Sequence, residues 1–278
     1  MVFEPALREL STSEQRVFGP TSFRDYVTRY DIDASSRTPR YISVDSLGDL
    51  SPELRDAGVM VLRAGSARDG TGTAFLLVDG DDGAEEFFLR DEAIFSDRPV
   101  EQFESTVQRE RLLSFHLLPT LSETSLVNLG LASGVLAEAL ELDTQGALAP
   151  PATGRSTFSF NFRPHSELTN TFSHRTGQIE IDTLFAERRS GELALFVIEA
   201  KAGSPGSLAK HKLVYPMLAL ANSVPHEIAL VPTYVRCRQK SEAITFEVAE
   251  CEFPDPRTSI PGVNELKVNR SRVIELER

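Results

Sequence analysis

Two apolar runs separated by a charged turn constrain this chain more than any other feature. Residues 178–186 and 193–201 flank Glu187-Arg188-Arg189-Ser190-Gly191-Glu192, a spacing that predicts an antiparallel hairpin. If Glu187 faces Glu192, then Asp182 lies opposite Val197, Glu180 opposite Glu199 and Gln178 opposite Lys201. Opposed residues share a face of the sheet. One face then carries Gln178, Glu180, Asp182, Glu199 and Lys201, and the other Ile179, Ile181, Phe185, Phe196, Ile198 and Ala200. Three carboxylates and an ammonium on one side of an apolar hairpin repel unless a cation or partner compensates them. The cluster predicts a divalent-metal site.

The elements around the hairpin place it in a larger unit. Thr120-Leu121-Ser122-Glu123 has the form of a capping box. Leu126, Leu129, Leu136 and Leu140 then form the stripe of a helix running to about Leu142, with Gly130 and Gly134 on a neighbouring face. Residues 147–154, with Pro150-Pro151, read as a loop. Phe158, Phe160 and Phe162 alternate with polar residues as a half-buried strand does, and Arg163 to Gly177 reads as a polar loop. After the hairpin, Ser204-Pro205-Gly206-Ser207 breaks the chain before a helix from about Leu208 to Ala221, and His226 to Val235 forms another strand. From residue 120 onward the order is α, β, β, β, α, β. Residues 1–99 read as a smaller α+β region: a helix at Phe23 to Tyr30, strands at 59–62, 74–78 and 86–89, and turns at Gly70-Thr71-Gly72-Thr73 and at 79–83. The second turn lacks the spacing and closing Glu of a calcium loop. Glu101 to Leu118 is helix-compatible up to Pro119.

Composition narrows the class. With 41% hydrophobic and 25% charged residues the chain is globular, and 278 residues suit two units, divided here at 1–99 and 100–278. Cys237 and Cys251 belong to no C-x-x-C pair, which excludes a disulfide scaffold and a cysteine zinc site and fits a reducing compartment. Met1-Val2-Phe3-Glu4-Pro5 lacks secretory-signal character, and the longest apolar run, Leu193 to Ile198, is far shorter than the roughly 18–20 residues of a membrane span. A soluble cytoplasmic protein is expected, with no membrane partner. The formal net charge of -12 argues against a polyanionic partner, but it is unevenly spread: -8 in residues 1–100, -6 in 101–200 and +2 in 201–278. Bound metal can supply positive charge where carboxylates cluster.

An oxygen-only set from Asp182, Glu199 and the main-chain carbonyl of Ala200 suits Mg²⁺. Lys201 stands where it can orient or deprotonate a water and stabilise charge on phosphorus. Ile181-Asp182, then Glu199-Ala200-Lys201 within an αβββαβ order, resembles the PD-(D/E)XK nucleases of the restriction-endonuclease-like fold over about residues 120–235. The resemblance implies an α/β (α+β) core with a mixed central sheet, Asp182 and Glu199 as metal ligands, and Lys201 serving the water. Ile181 stands where the motif has Pro, and His211-Lys212-Leu213-Val214-Tyr215 offers His211 where many members have the Gln of Q-x-x-x-Y. Glu180 and Glu123 are further metal-ligand candidates. Arg163, Asn170, Arg175, Lys210 and Lys212 are candidates for DNA contact, with His165 and His174 in the same polar loop. A P-loop is absent, so ATP-driven translocation is not expected of this chain. The expectation is a Mg²⁺-dependent, sequence-specific double-stranded DNA endonuclease of type II restriction type, with sensitivity to or dependence on base methylation left open. It would work as a homodimer, because one site cuts one strand. The alternatives are a non-catalytic DNA-binding module that keeps the nuclease fold, and an interaction domain whose acidic face binds a basic partner.

Overall fold

A computed structural model describes residues 1–33, 38–68, 70, 72–105, 107–143, 148, 150–204 and 206–277. Thr71 of the first predicted turn, residues 147 and 149 of the predicted loop, and Pro205 of the predicted break lie outside the described residues. The N-terminal region builds α1 (Glu4–Ser11), β1 (Val17–Ser22), α2 (Phe23–Arg29), α3 (Thr38–Ile42), α4 (Pro52–Asp56), β2 (Val59–Ser66), β3 (Thr73–Asp79), β4 (Phe88–Arg90) and α5 (Asp91–Phe95). There follow β5 (Val100–Phe103), α6 (Leu113–His116), α7 (Glu123–Ser133), α8 (Val135–Ala139), β6 (Ala152–Phe162), β7 (Phe172–Arg189) and β8 (Glu192–Ala202). The chain continues through β9 (Ser207–Ala209), α9 (His211–Leu220), β10 (Ala229–Gln239), β11 (Ala243–Glu252) and β12 (Lys267–Glu277).

The fold is α+β, with a mixed and largely antiparallel sheet. Its strands follow the order β1-β3-β2-β7-β8-β10-β11-β12-β5, and β6 pairs β7 off this path. β8 and β10 are parallel, which requires a crossover connection, and α9 lies in it. Phe196, Val197 and Ile198 of β8 are all buried, as a central strand covered on both faces demands. On one face Leu126, Leu129 and Leu136 of α7 and α8 pack on Phe185, Phe196, Ile198 and Phe246. On the other, Leu213 and Tyr215 of α9 join Phe3, Phe23, Phe75 and Phe87 in one core, so the N-terminal region is packed onto the α9 face. No helix of the described residues is long and apolar enough to cross a membrane.

Several predicted elements are changed by tertiary context. Ala84–Phe87 is a 3-10 turn, and the short β4 after it pairs with β9 instead of joining β3. In place of a helix over 101–118, β5 pairs with the edge of β12, followed by a 3-10 turn at Arg109–Leu112 and α6; strand pairing outweighs a weak helical propensity. Ser122, not Thr120, caps α7 by accepting the N–H of Ser125. Gly134 takes φ +90° and ends α7, dividing the predicted helix in two, because glycine adopts this conformation without a Cβ penalty. β7 begins at Phe172, so the predicted polar loop at 163–177 contracts to 163–171. β11 and β12 extend the sheet past the last element expected from sequence.

Beside the β4–β9 pair and the shared core, two further contacts tie the N-terminal region to the larger sheet. β2 meets β7 through Gly65 and Arg175. Asp91, at the start of α5, is buried with Arg236 of β10: their Oδ2 and Nε lie 2.5 Å apart, Tyr234 donates to Asp91 Oδ1 at 2.8 Å and Gly206 N donates to Oδ2 at 2.6 Å. Removing one partner of a buried pair leaves the other charge without compensation. Asp91→Ala is therefore expected to cost about 3–5 kcal/mol of unfolding free energy, measured by urea denaturation. A loss below about 1 kcal/mol would show that water replaces the carboxylate.

Candidate active site

The hairpin of β7 and β8 turns on two residues, Ser190 and Gly191, both with positive φ, as a tight two-residue hairpin turn requires. Asp143 accepts both of their N–H groups, at 2.9 and 2.6 Å. This turn is shorter than the six-residue turn expected from sequence and moves the register by two. Arg189 pairs with Glu192, Leu184 with Val197 and Thr183 with Ile198, the last pair of the ladder; Asp182, just beyond it, reaches the N–H of Ala200, so that it and not Glu180 meets the strand of Glu199.

A bulge resets the alternation of β7 at the same place. Against β6, Gly154 pairs with Ile181 but Ala152 with Leu184, which inserts one extra residue in β7 around Asp182 and Thr183. Ile179 and Ile181 consequently pack into the α9 core, whereas Phe185 packs under α7. Glu180, on the opposite side of β7 from Ile179 and Ile181, does not share the face of Glu199 and is exposed. The predicted cluster of Glu180, Asp182 and Glu199 is corrected to Asp182 and Glu199.

Glu199 is only 2% exposed. Lys201 Nζ donates to its Oε1 at 2.9 Å, and Lys212 Nζ of α9 lies 3.5 Å from the same oxygen and 3.6 Å from Asp45 Oδ1. Asp182 Oδ2 accepts the N–H of Ala200 at 3.1 Å, and Glu123 Oε1 accepts that of Ala202 at 3.0 Å. Glu123 thus reaches the end of β8 because the helix is capped by Ser122. Burial pushes the Glu199 carboxyl up to about 7; Lys212 and Lys201 oppose the rise and Asp182 adds to it. Burial alone would lower Lys201, but Glu199, Glu123 and Asp182 hold its ammonium above the ordinary value. Lys212 is held up in the same way by Glu199 and Asp45 against the effect of burial.

The raised Glu199 has a consequence for stability. The folded chain holds a proton there between the ordinary carboxylate value and about 7, where the unfolded chain has lost it. This contribution is fully present below about 4.5 and is lost as pH rises through about 7. Glu199→Gln is expected to remove that slope, so urea midpoints at pH 5 and pH 8 should differ less in the variant than in the parent. Equal differences would show that Glu199 titrates normally.

The other predicted residues are dispersed. Lys210 is buried, donates to Asn264 O at 2.8 Å and is pushed down to about 8 by burial, so its ammonium does not face solvent as a DNA contact would. His165 is buried against Glu86 at 3.1 Å, and His174 is buried with its ring stacked on Phe160. Burial lowers His174 to about 4. Arg163 bridges Gly262, while Asn170 and Arg175 are exposed, the latter on β7. His211 packs on Tyr215, whose hydroxyl donates to Arg63 O at 2.9 Å. Beside Lys212, a cavity of about 450 Å³ opens between β2, β7 and the start of α9, bordered by Arg63, Arg155, His174 and Gln178.

The arrangement joins two carboxylates and two ammonium groups at the end of a central strand. Among the described residues no three His, Cys, Asp or Glu side chains converge on a ready metal cage. Mg²⁺ does not need one: it takes one or two carboxylates and keeps waters and substrate phosphates as its other ligands. The donor set fits that pattern, since a buried carboxylate destabilised by desolvation, as Glu199 is, gains from a bound cation. A family profile described as a domain of unknown function (DUF6997) matches residues 93–269, which include all of these groups except Asp45. No curated protein and no solved structure matches the chain.

Proposed function

This chain belongs to the DUF6997 family, and we propose that it is a Mg²⁺-dependent endonuclease of restriction type acting on double-stranded DNA, with PD-(D/E)XK chemistry. The observation that carries the reading is Glu199, buried on a central strand, with Lys201 at 2.9 Å and Asp182 accepting the N–H of the next residue, Ala200, at 3.1 Å. The order α7, α8, β6, β7, β8, β9, α9, β10, with β8 parallel to β10, supports it as well.

Asp182, Glu199 and the carbonyl of Ala200 would hold Mg²⁺, which when bound polarises a phosphate oxygen and lowers the pKa of water. The residues of the chain do the rest. Lys201 positions the attacking water and neutralises charge as the water oxygen bonds to phosphorus and one ester P–O bond breaks. Lys212 holds Glu199 from the other side and ties it to Asp45, fixing the carboxylate. One such site cuts one strand, so a homodimer on DNA would serve both strands.

When methylated and unmethylated plasmids are incubated with the full chain in Mg²⁺, at least one of the two should be cut, and EDTA should stop the reaction. In Ca²⁺, whose longer bonds and looser geometry occupy the carboxylates without matching Mg²⁺, gel shifts should show DNA bound but not cut. DNA binding without cutting in any divalent ion would favour the non-catalytic module; no interaction with DNA at all would overturn the proposal.

A further inference from the structure

The first half of β6 is an open strand, and Arg155, Gln178 and Glu180 of the ribbon it forms with β7 border the cavity beside Lys212. Residues 152–157 are all exposed, and β6 lies off the path of the main sheet, paired with β7. An open ladder of N–H and C=O groups recruits other chains, and sheets usually protect such an edge with lysine, proline or a covering element. Residues 152–157 contain neither lysine nor proline.

The register sets this ribbon beside the candidate site. Arg155 pairs with Glu180, Thr157 with Gln178, and Gly154 with Ile181, the neighbour of Asp182. Opposed residues project to one face, so Arg155, Thr157, Gln178 and Glu180 stand together, and all four are exposed. Their chemistry is that of base reading: Arg pairs with guanine, Gln with adenine and Glu with the amino group of cytosine, and Thr contacts the thymine methyl. A face with one cation among four polar groups suits base edges better than phosphates, which draw Lys and Arg. The β6 half of the ribbon is free of acid: none of the 41 acidic residues falls in 144–166, and the acidic side chains of the ribbon, Glu180 and Asp182, both belong to β7.

We infer that the β6–β7 ribbon enters a groove of the DNA and that Arg155, Thr157, Gln178 and Glu180 read base pairs beside the cut phosphate. This rests on the nuclease reading above and names its specificity element. The major groove admits a two-stranded ribbon. At about 3.3 Å per residue, Glu180 lies about 7 Å along β7 from Asp182, or roughly two base-pair steps. The reading face differs from the loop at 163–171, whose His165 is buried and bonded within the protein.

The test uses the full chain and the cut site mapped on plasmid DNA. Binding in Ca²⁺ and cutting in Mg²⁺ are compared for the mapped duplex, duplexes with one base pair changed, and unrelated duplex. Arg155→Ala and Gln178→Ala are expected to lower the preference for the mapped site by about 10- to 100-fold, the scale of a single mismatched pair. Melting temperature and affinity for unrelated DNA should change little, because these side chains are exposed. A uniform loss on every duplex, with the salt slope reduced by about one, would make Arg155 a phosphate contact and overturn the inference. Unchanged preference in both variants, or a parent that cuts without preference, would overturn it while leaving the nuclease intact. A parent that neither binds nor cuts DNA overturns both.

Discussion

Glu199→Gln and Lys201→Ala are each expected to lower Mg²⁺-dependent DNA cleavage by about 10²- to 10⁴-fold, the range for removing one positioned catalytic group. The two variants should differ in everything else. Glu199→Gln removes an anion that burial disfavours, so at pH 8 the variant should melt no lower than the parent, and it should lose the thermal shift that Mg²⁺ produces. Lys201→Ala leaves Asp182 and Glu199 in place, with Lys212 still 3.5 Å from Glu199, and should keep that shift while cutting is lost. Cleavage by either variant at the parental rate would remove these residues from the mechanism. Loss of the Mg²⁺ shift in Lys201→Ala would instead make the lysine part of the metal site's architecture.

Among the described glycines, Gly65→Ala should be the most damaging methyl addition. Gly65 has φ +75°, and an added Cβ would lie 2.2 Å from the carbonyl oxygen of Arg175 and 2.7 Å from its nitrogen. Both atoms belong to backbone, so no side-chain rotation relieves the overlap and β2 must leave β7. Strain of this kind joins the mechanisms that give mutational losses above about 4 kcal/mol. The expected result is such a loss in urea denaturation, with early proteolysis in residues 1–99 as the region separates. Gly154→Ala, where a Cβ meets nothing within 4 Å, is the control. Similar stability in the two variants would show that the contact at Gly65 is not needed.

The candidate centre was legible where chemistry is local and obscure where it is not. Asp182, Glu199 and Lys201 could be placed on one hairpin because both strands and their turn are contiguous in sequence. Their face survived a register error of two residues, since an even shift preserves alternation. Glu180 was misplaced because a bulge leaves no mark in hydrophobic pattern. Asp45 carried no signal at all: it comes from an exposed N-terminal loop and meets Lys212 through tertiary packing alone. Lys212 was visible as a basic residue on a helix, but its contact with Glu199 depends on how α9 crosses the sheet. The helix expected at 101–118 failed for a related reason, the edge of β12 being unknowable from residues near 100.

The parallel pairing of β8 with β10 bears on the order in which the protein becomes competent during its own synthesis. β7 and β8 can close their two-residue turn as soon as both have left the ribosome, because that contact is local. Lys212 follows on α9, and β8 acquires its second neighbour only when residues 229–237 emerge. Until then the strand bearing Glu199 is an edge strand open to water, and desolvation of the carboxylate waits on non-local pairing, which forms late. A nascent chain stopped before β10 therefore carries every residue of the centre without the buried environment that tunes it. On the proposed function, ribosome-bound fragments that stop short of β10 are expected to be inert, and competence to arrive with residues 229–237.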